Sequence, residues 1–284
     1  MKTIVPQEIS TLELQGYMQS AIAPRPIAFA STIDREGNVN LSPFSFFNMF
    51  STNPPILIFS PARRVRDNTT KHTLENAMEV PEVVINVVNY SLVEQTSLAS
   101  TEYDKGVNEF IKAGLTAIPS EKIRPPRVKE SPVQFECKIN EIRPLGDKGG
   151  AGNLIICEVL LMHIDEKILD EKGKIDARKI DLVARLGGDW YCRAFGDALF
   201  EVEKPLAKKG IGIDQLPEEI RKSCYLTGNQ LAKLANIEKI PSREDLDKIS
   251  VPIISGEKNI HLLAASFLES GKIMEAWKVL LKYQ

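Results

Sequence analysis

A run of cationic and hydroxyl side chains between residues 63 and 73 has the chemistry of an anion site. Lys71 offers a point charge and Thr73 a hydroxyl at the start of a helix predicted over residues 71–78. Unpaired backbone N–H groups and the helix dipole favour an anion there. Three guanidinium groups precede it, those of Arg63, Arg64 and Arg66. The pattern predicts a phosphate site, the alternative being that these residues are solvated surface charges.

The segment at residues 43–48 alternates small polar and aromatic side chains. As one extended strand, it would direct Ser45 and Phe47 to one side. The other side would then carry Phe44, Phe46 and Asn48. One face could pack while the other holds a flat ring, and the alternative is that both faces are buried as core.

Together the two segments offer what flavin mononucleotide (FMN) requires, namely a phosphate site, a wall for a flat ring and hydrogen bonds to the ring's polar edge. Other nucleotide and hydrolytic sites lack support. No G-x-G-x-x-G follows a strand, and neither G-x-x-x-x-G-K-[ST] nor G-x-S-x-G occurs. Three dispersed histidines without H-E-x-x-H give no reason to expect a metal site.

Two further places could approach a bound ring. His163 lies in a predicted strand, so it could reach the ring or a nicotinamide, or be a hydrogen-bonded sheet histidine. Gly187 and Gly188 permit close backbone approach and are followed by two aromatic residues, Trp190 and Tyr191. The alternative for this second segment is a turn that closes a barrel.

The elements that must position these residues are mainly β-strands up to about residue 200. Strands are predicted at residues 27–33, 56–60, 83–88, 133–142 and 154–164. Tight turns at residues 34–38 and 170–174 favour antiparallel pairing, in which glycine takes the positive φ. Besides the helix at residues 71–78, Ser91 and Glu94 form a capping-box pattern that predicts a second helix start.

The chain changes character near residue 200, which predicts a domain of residues 1–200 and a helical extension of residues 201–284. Helices are predicted at residues 218–223, 230–234, 243–249, 259–270 and 272–283. Ser242 and Asp245 suggest a helix cap. One helical stripe should be buried, comprising Ile260, Leu263, Ala264, Phe267 and Leu268.

Composition excludes several partner classes. Lys and Arg total 36 against 38 Asp and Glu, so there is no general attraction to nucleic acid or an anionic membrane. The four cysteines are widely spaced without C-x-x-C, which is typical of reduced structural thiols. There is no signal-peptide pattern and no apolar run of the roughly 20 residues needed to span a bilayer. We therefore expect a cytoplasmic protein.

Residues 15–195 resemble the flavin reductase-like family with an FMN-binding split barrel. That family includes flavoredoxin and the flavin reductase components of two-component monooxygenases. The resemblance rests on R-P-I-A-F-A-S-T, D-x-x-G-x-x-N-L-S-P-F-S-F-F-N, P-P-I-L-I-F-S, K-H-T-x-x-N, V-V-I-N-V-V and R-L-G-G-D-W-Y. His72 departs from the family, which often has Asp at this position of the turn. The resemblance says little about the helical extension.

The resemblance implies a mainly β, Greek-key split barrel that forms a homodimer and holds FMN near the subunit interface. The residues implied at the flavin ring are Ser45, Phe46, Phe47 and Asn48. Those implied at the ribityl phosphate are Ser60, Arg63, Lys71, Thr73 and Asn76, with His163 and Tyr191 nearby.

The implied reaction is hydride transfer from NADH or NADPH to flavin N5, with delivery of electrons to a monooxygenase or another acceptor. The alternative is a non-catalytic flavin-binding or sensing module whose helical tail binds a partner.

Overall fold

The computed structural model describes residues 1–206 and 209–282, which form two compact units. The first unit ends at Phe200 and the second begins at Glu201. Each hydrophobic cluster of the described residues contains side chains of one unit only. Three clusters are formed by residues before 200, and the fourth is formed by residues after 210. Each unit therefore has its own buried core.

The main sheet of the first unit is antiparallel throughout. Its strands are β1 (Ala28–Ile33), β2 (Val39–Phe44), β3 (Phe47–Thr52), β4 (Pro55–Phe59), β5 (Glu82–Val87), β8 (Val133–Pro144) and β9 (Asn153–Ile164). Their spatial order is β2-β1-β5-β8-β9-β4-β3. Two short antiparallel pairs stand apart, β6 (Ala117–Ile118) with β7 (Arg127–Val128) and β10 (Val183–Arg185) with β11 (Tyr191–Arg193). The antiparallel, mainly β fold expected from the sequence is confirmed.

The sheet curls because its two outermost strands are joined by a very short link. β2 and β3 lie at opposite ends of the strand order, yet only Ser45 and Phe46 separate them in the chain. Since neighbouring Cα atoms are about 3.8 Å apart, these two edges must lie close together at that point. The rings of Phe44 on β2 and Phe59 on β4 lie 5.5 Å apart between centroids. The result is a barrel that is open between β2 and β3.

This link corrects one expectation. Residues 43–48 do not form a single extended strand, because the chain bends at Ser45 and Phe46. The main-chain N–H of Ser60 donates to the Phe46 carbonyl at 2.8 Å, which holds the bend against the end of β4. Ser45 and Phe46 are therefore presented at a corner of the barrel.

Five helices are described in the first unit. They are α1 (Thr11–Ala21), α2 (His72–Glu79), α3 (Val93–Leu98), α4 (Glu109–Ala113) and α5 (Ala177–Ile180). The helix predicted at residues 71–78 is confirmed as α2, which buries Leu74 and Ala77 against the barrel core. The expected capping box at Ser91 is wrong. Ser91 lies within a 3-10 turn and its hydroxyl donates to Asn89 Oδ1, so α3 has no side-chain cap.

The second unit packs short helices around the buried Trp277. They are α6 (Glu218–Arg221), α7 (Gly228–Ala235), α8 (Arg243–Asp247), α9 (Glu257–Glu269) and α10 (Ile273–Lys282). The predicted cap is confirmed, because Ser242 and Asp245 satisfy each other's backbone N–H groups. The stripe on α9 packs into the core as expected. Tyr283, the end of the last predicted helix, lies outside the described residues.

Two features are absent from the described residues. No helix there has both the length and the apolar character needed to cross a membrane. Nor does any group of three or more His, Cys, Asp or Glu in residues 1–206 and 209–282 come together as a set of metal ligands.

Candidate functional site

A cleft of about 400 Å³ opens where α1, the bend at residues 45–46 and the segment at residues 60–66 meet. We call it the cleft. It is lined by side chains of Gln15, Gln19, Ser42, Pro43, Phe44, Ser45, Phe46, Ser60, Ala62, Arg63, Arg64, Val65, Arg66, Lys71, Ser100 and Glu102. Of the residues that the family resemblance implies at FMN, five therefore meet here, namely Ser45, Phe46, Ser60, Arg63 and Lys71. The other two arginines of the predicted anion site, Arg64 and Arg66, join them.

One end of the cleft holds a cation cluster arranged around the Glu102 carboxylate. Arg64 Nε donates to Glu102 Oε1 at 2.9 Å, and Arg66 Nη2 donates to Glu102 Oε2 at 3.0 Å. Lys71 Nζ lies 4.0 Å from Glu102 Oε1, which is longer than a hydrogen bond. Hydrogen bonds from Arg66 and Arg64 hold the pKa of the Glu102 carboxyl below its usual range.

The surroundings of Lys71 disfavour the positive charge of its ammonium group. Burial lowers the pKa of its ammonium group, and the neighbouring charge of Arg64 lowers it further. An anion placed next to Lys71 would reverse both effects, because it replaces lost solvation and offsets the like charge. The side chain is thus suited to a phosphate group.

Arg63 is held by a tight loop. Its Nε donates to Asn68 Oδ1 and its Nη2 to the Asn68 carbonyl, each at 2.6 Å. Asn68 adopts a left-handed φ of 60°, which Asn tolerates better than most residues. No described carboxylate pairs with Arg63, so this guanidinium adds an unneutralised charge to the cleft.

The loop between β8 and β9 supports the 60–68 segment from behind, a contribution that the sequence reasoning missed. Arg63 N–H donates to the Ala151 carbonyl at 2.8 Å, and Gly150 N–H donates back to the Arg63 carbonyl at 3.0 Å. A Cβ on Gly149 would lie 2.9 Å from the Arg64 carbonyl oxygen, and one on Gly152 would lie 2.6 Å from Ser60 Oγ. Three glycines within residues 149–152 were the signal that could have revealed this contact.

Thr73 and Asn76 do not line the cleft itself, although Thr73 lines a small adjoining pocket together with Lys71 and Glu102. Thr73 and Asn76 lie three residues apart on the face of α2 that packs against the barrel, so both are buried. Thr73 Oγ1 donates to Asn40 Oδ1 at 2.6 Å, and Asn76 Nδ2 donates to Thr32 Oγ1 at 3.3 Å. Their polar groups thus fix the position of α2, whose first turn follows Lys71.

A buried carboxylate completes this support. Asn40 Nδ2 donates to Glu109 Oε1 at 2.7 Å, and Leu41 N–H donates to Glu109 Oε2 at 2.9 Å. Burial raises the pKa of Glu109, although both hydrogen bonds act in the opposite direction. The sequence contained no pattern that pointed to Glu109.

Arg25 anchors the bend on the ring side of the cleft. Its buried guanidinium donates to the carbonyls of Gln19, Ile22 and Leu186, and its Nε lies 3.5 Å from Ser45 Oγ. Burial lowers the pKa of Arg25, with a further contribution from Arg185. One side chain therefore ties together α1, the bend and the turn after β10.

Phe47 and Asn48 line a different cavity. This apolar groove of about 570 Å³ runs between β3, β4, β9 and the β10–β11 pair. It contains Met49, which is 61% exposed, and Met162, which is 41% exposed. The predicted ring-binding set is therefore divided, because the bend turns Ser45 and Phe46 into the cleft and the next two residues toward the groove.

His163 and Tyr191 do not line the cleft. His163 Nε2 lies 2.8 Å from an oxygen of the fully buried Glu136, which also accepts main-chain hydrogen bonds from Glu121 and Lys122. His163 is therefore a hydrogen-bonded histidine within the sheet, which is the second of the two alternatives that the sequence allowed. Tyr191 stacks against the Arg185 guanidinium at 4.5 Å and faces a separate cavity with Tyr90.

The donor set at the cation end fits a phosphate monoester. Four cations, Arg63, Arg64, Arg66 and Lys71, stand against two carboxylates, those of Asp67 and Glu102. Hydrogen bonds from Thr69 lower the pKa of Asp67 to about 2, so both carboxylates are charged at neutral pH. The remaining two positive charges match a phosphate whose second pKa is about 6.

Comparison with known proteins gives a consistent result. A family model described as the flavin reductase like domain matches residues 18–179. An uncharacterised protein of Aquifex aeolicus is 39% identical over 181 residues, which cover 64% of this chain and 90% of that protein. Component B of nitrilotriacetate monooxygenase from Bacillus cereus is 31% identical, with a TM-score of 0.66 over 71% of this chain and 98% of that one.

A protein of Shewanella frigidimarina with a split barrel domain is 30% identical and has a TM-score of 0.60. The alignment covers 72% of this chain and all of that chain, 100%. The split-barrel architecture expected from the sequence is confirmed by this likeness together with the strand order.

Proposed function

The chain belongs to the flavin reductase like family, and from this we propose that it is an NAD(P)H-dependent FMN reductase or a flavoredoxin-like electron carrier. The observation that supports FMN is the meeting of Lys71 and Arg63 with Ser45 and Phe46 in one cleft. These residues lie in three separate stretches of the chain, and each has the chemistry of one part of the cofactor.

When bound, FMN supplies the chemistry of accepting a hydride and passing electrons on. At the phosphate end, Lys71 and Arg63 would hold the anion by charge, with Ser60 Oγ as a hydroxyl partner. The Gly149–Gly152 stretch keeps Arg63 and Ser60 in place through main-chain contacts. Binding energy at this remote end orients the reacting end without touching it.

At the ring end, the chain's role is positioning. Arg25 lies behind Ser45 and restricts its hydroxyl, while Phe46 offers an aromatic surface that is 39% exposed. Neither His nor Cys lines the cleft, and its carboxylate Glu102 is held by arginines. Proton transfer by a side chain is therefore not part of the proposed mechanism.

The test uses the purified full-length chain. We expect it to be yellow or to become yellow with added FMN, and the bound flavin to bleach on anaerobic mixing with NADH or NADPH in a stopped-flow spectrophotometer. Measuring each nicotinamide in turn gives its preference. A colourless protein that also fails to bind added FMN would disprove the proposal.

A second candidate function is a non-catalytic flavin-binding or sensing module whose helical tail binds a partner. The observation that favours it is the separate core of the second unit, which includes Trp277 and Leu268. Flavin binding without oxidation of NADH or NADPH, in the full chain and in a chain ending at Phe200, would support this candidate over the first.

We also propose a homodimer. The apolar groove and the exposed side chain of Met49 lie on the edge strand β3, and Phe50 next to it is 65% exposed. An exposed apolar groove flanked by a further exposed aromatic residue is typical of protein interfaces. A second copy covering the groove would bury it and would bring Phe47 and Asn48 toward the subunit boundary.

The electron acceptor is proposed from the relatives. The similarity to component B of nitrilotriacetate monooxygenase suggests that this chain delivers reduced flavin to a monooxygenase partner. Stimulation of NAD(P)H oxidation by a co-purified oxygenase would support that partner.

A further inference from the structure

Glu102 occupies the position in the cation cluster where an anionic ligand would be expected. It bonds Arg64 and Arg66 through different oxygens and lies 4.0 Å from Lys71. Its side chain is 46% exposed, whereas that of Arg64 is only 17% exposed. The Glu102 carboxylate is therefore more exposed than Arg64 and than Lys71, which is 30% exposed, although Arg66 is more exposed still, at 72%.

The backbone around Glu102 explains how the carboxylate could leave. The residue follows α3 in a turn in which Thr101 N–H donates to the Leu98 carbonyl and Tyr103 N–H to the Thr101 carbonyl. The turn is closed by its own hydrogen bonds, so the carboxylate can rotate to solvent without moving the main chain. Arg64 would remain in place, since its Nη1 also donates to Thr69 Oγ1 at 2.8 Å.

We propose that Glu102 is a specificity-determining residue that competes with the ligand phosphate for Arg64, Arg66 and Lys71. This inference rests on the proposed function. A phosphorylated flavin must displace the carboxylate or bind beside it against like-charge repulsion, whereas riboflavin meets no such competition. Glu102 therefore reduces the advantage of FMN over riboflavin and keeps FMN exchangeable, as suits a flavin that is passed to another protein.

The test compares the wild-type protein with Glu102→Gln, which keeps the shape and removes the charge. The matched control is Glu94→Gln, an exposed carboxylate on α3 that does not line the cleft. Three probes are titrated at constant ionic strength and pH 8: inorganic phosphate by calorimetry, and FMN and riboflavin by fluorescence. Melting temperatures confirm that each variant is folded.

We expect Glu102→Gln to bind phosphate and FMN about three- to tenfold more tightly, with slower FMN release and unchanged riboflavin affinity. Glu94→Gln should behave as wild type. Unchanged or weaker phosphate and FMN binding by Glu102→Gln would overturn the inference, because Glu102 would then only order the arginines. If no protein binds either flavin but phosphate binding still tightens, the inference stands and the proposed flavin function fails.

Discussion

At the residue scale, the positive charges of the side chains in the cleft are only partly neutralised by neighbouring carboxylates. Lys71 is half-buried and its carboxylate neighbour is beyond hydrogen-bond distance, so its ammonium group gains most from a new anion. Arg64 and Arg66, in contrast, already have hydrogen bonds to Glu102. The energetic contribution of each cation to ligand binding therefore differs, although all four carry the same charge.

We expect Lys71→Met to weaken FMN binding about 10- to 100-fold, since one charge-assisted hydrogen bond contributes roughly 1.5–3 kcal/mol. Riboflavin affinity should not change, because riboflavin has no phosphate. Fluorescence titration of both ligands measures the two effects. Lys105→Met is the control, since Lys105 pairs with Glu75 at 3.8 Å and does not line the cleft. Equal losses for both flavins would contradict the assignment.

The cysteines differ sharply in predicted reactivity. Burial raises the pKa of the Cys137 and Cys157 thiols far above the usual range, while Cys224 is exposed. Thiolate is the reactive form. We therefore expect iodoacetamide at pH 8 to alkylate Cys224 first and to leave Cys137 and Cys157 unmodified until the protein unfolds, as measured by mass spectrometry. Early modification of Cys137 in folded protein would show that the barrel core opens.

At the scale of elements, the 60–68 segment and helix α2 are held in position by contacts with other parts of the first unit. The 60–68 segment carries the arginines, and the β8–β9 loop holds it through main-chain hydrogen bonds. α2 is held by the buried chain from Thr73 through Asn40 to Glu109. The cation cluster is thus positioned by two sets of supporting residues that do not line the cleft itself.

Gly149→Ala tests the first support. Its new Cβ would lie 2.9 and 3.0 Å from the carbonyl oxygens of Arg64 and Val65, so the loop must shift. Overpacking of this kind costs about 1–3 kcal/mol, and we expect lower thermal stability together with weaker FMN binding. Gly228→Ala is the control, because a Cβ there meets open space. Wild-type FMN affinity in Gly149→Ala would show that the loop does not position Arg63.

At the scale of the whole molecule, every residue of the cleft and the groove lies before Phe200. We propose that residues 1–200 and 201–284 are separate domains, since each unit buries its own apolar side chains. The second domain then contributes something other than flavin binding, and its removal should leave the barrel intact.

A chain ended at Phe200 should therefore keep the FMN affinity of the full-length protein and a cooperative thermal transition. Fluorescence titration and circular dichroism measure both. The residues from 201 onward, expressed alone, are the matched test of independent folding and should be helical. Loss of flavin binding on truncation, with the barrel still folded, would show that the tail takes part in the site.

Met49→Asp should convert the proposed dimer to a monomer in size-exclusion chromatography with light scattering, because it places a charge in the apolar groove. Met78→Asp is matched in exposure, 62% against 61%, but lies on α2 outside the groove. A wild-type protein that is already monomeric would rule out the proposed interface.

Many secondary-structure elements of this protein could be predicted from short-range patterns in the sequence. The five predicted strands match β1, β4, β5, β8 and β9 to within two residues, and the start of α2 is also confirmed, because these features follow from short-range periodicity and turn glycines. Strands β2 and β3 and helix α1 were not predicted. The chemistry of Lys71, Arg63, Ser45 and Phe46 also followed from residue type. The resemblance to the flavin reductase-like family, carried by short segments in a fixed order, is confirmed by the match over residues 18–179.

The remaining features depend on contacts between residues distant in sequence. The bend at Ser45 arises because β2 and β3 close opposite edges of one sheet, and this divides the aromatic segment between two cavities. The packing of α2 turns Thr73 and Asn76 inward, and a turn after α3 brings Glu102 to the arginines. Side-chain direction at such places is set by strand pairing and helix packing, which no short stretch of sequence encodes alone.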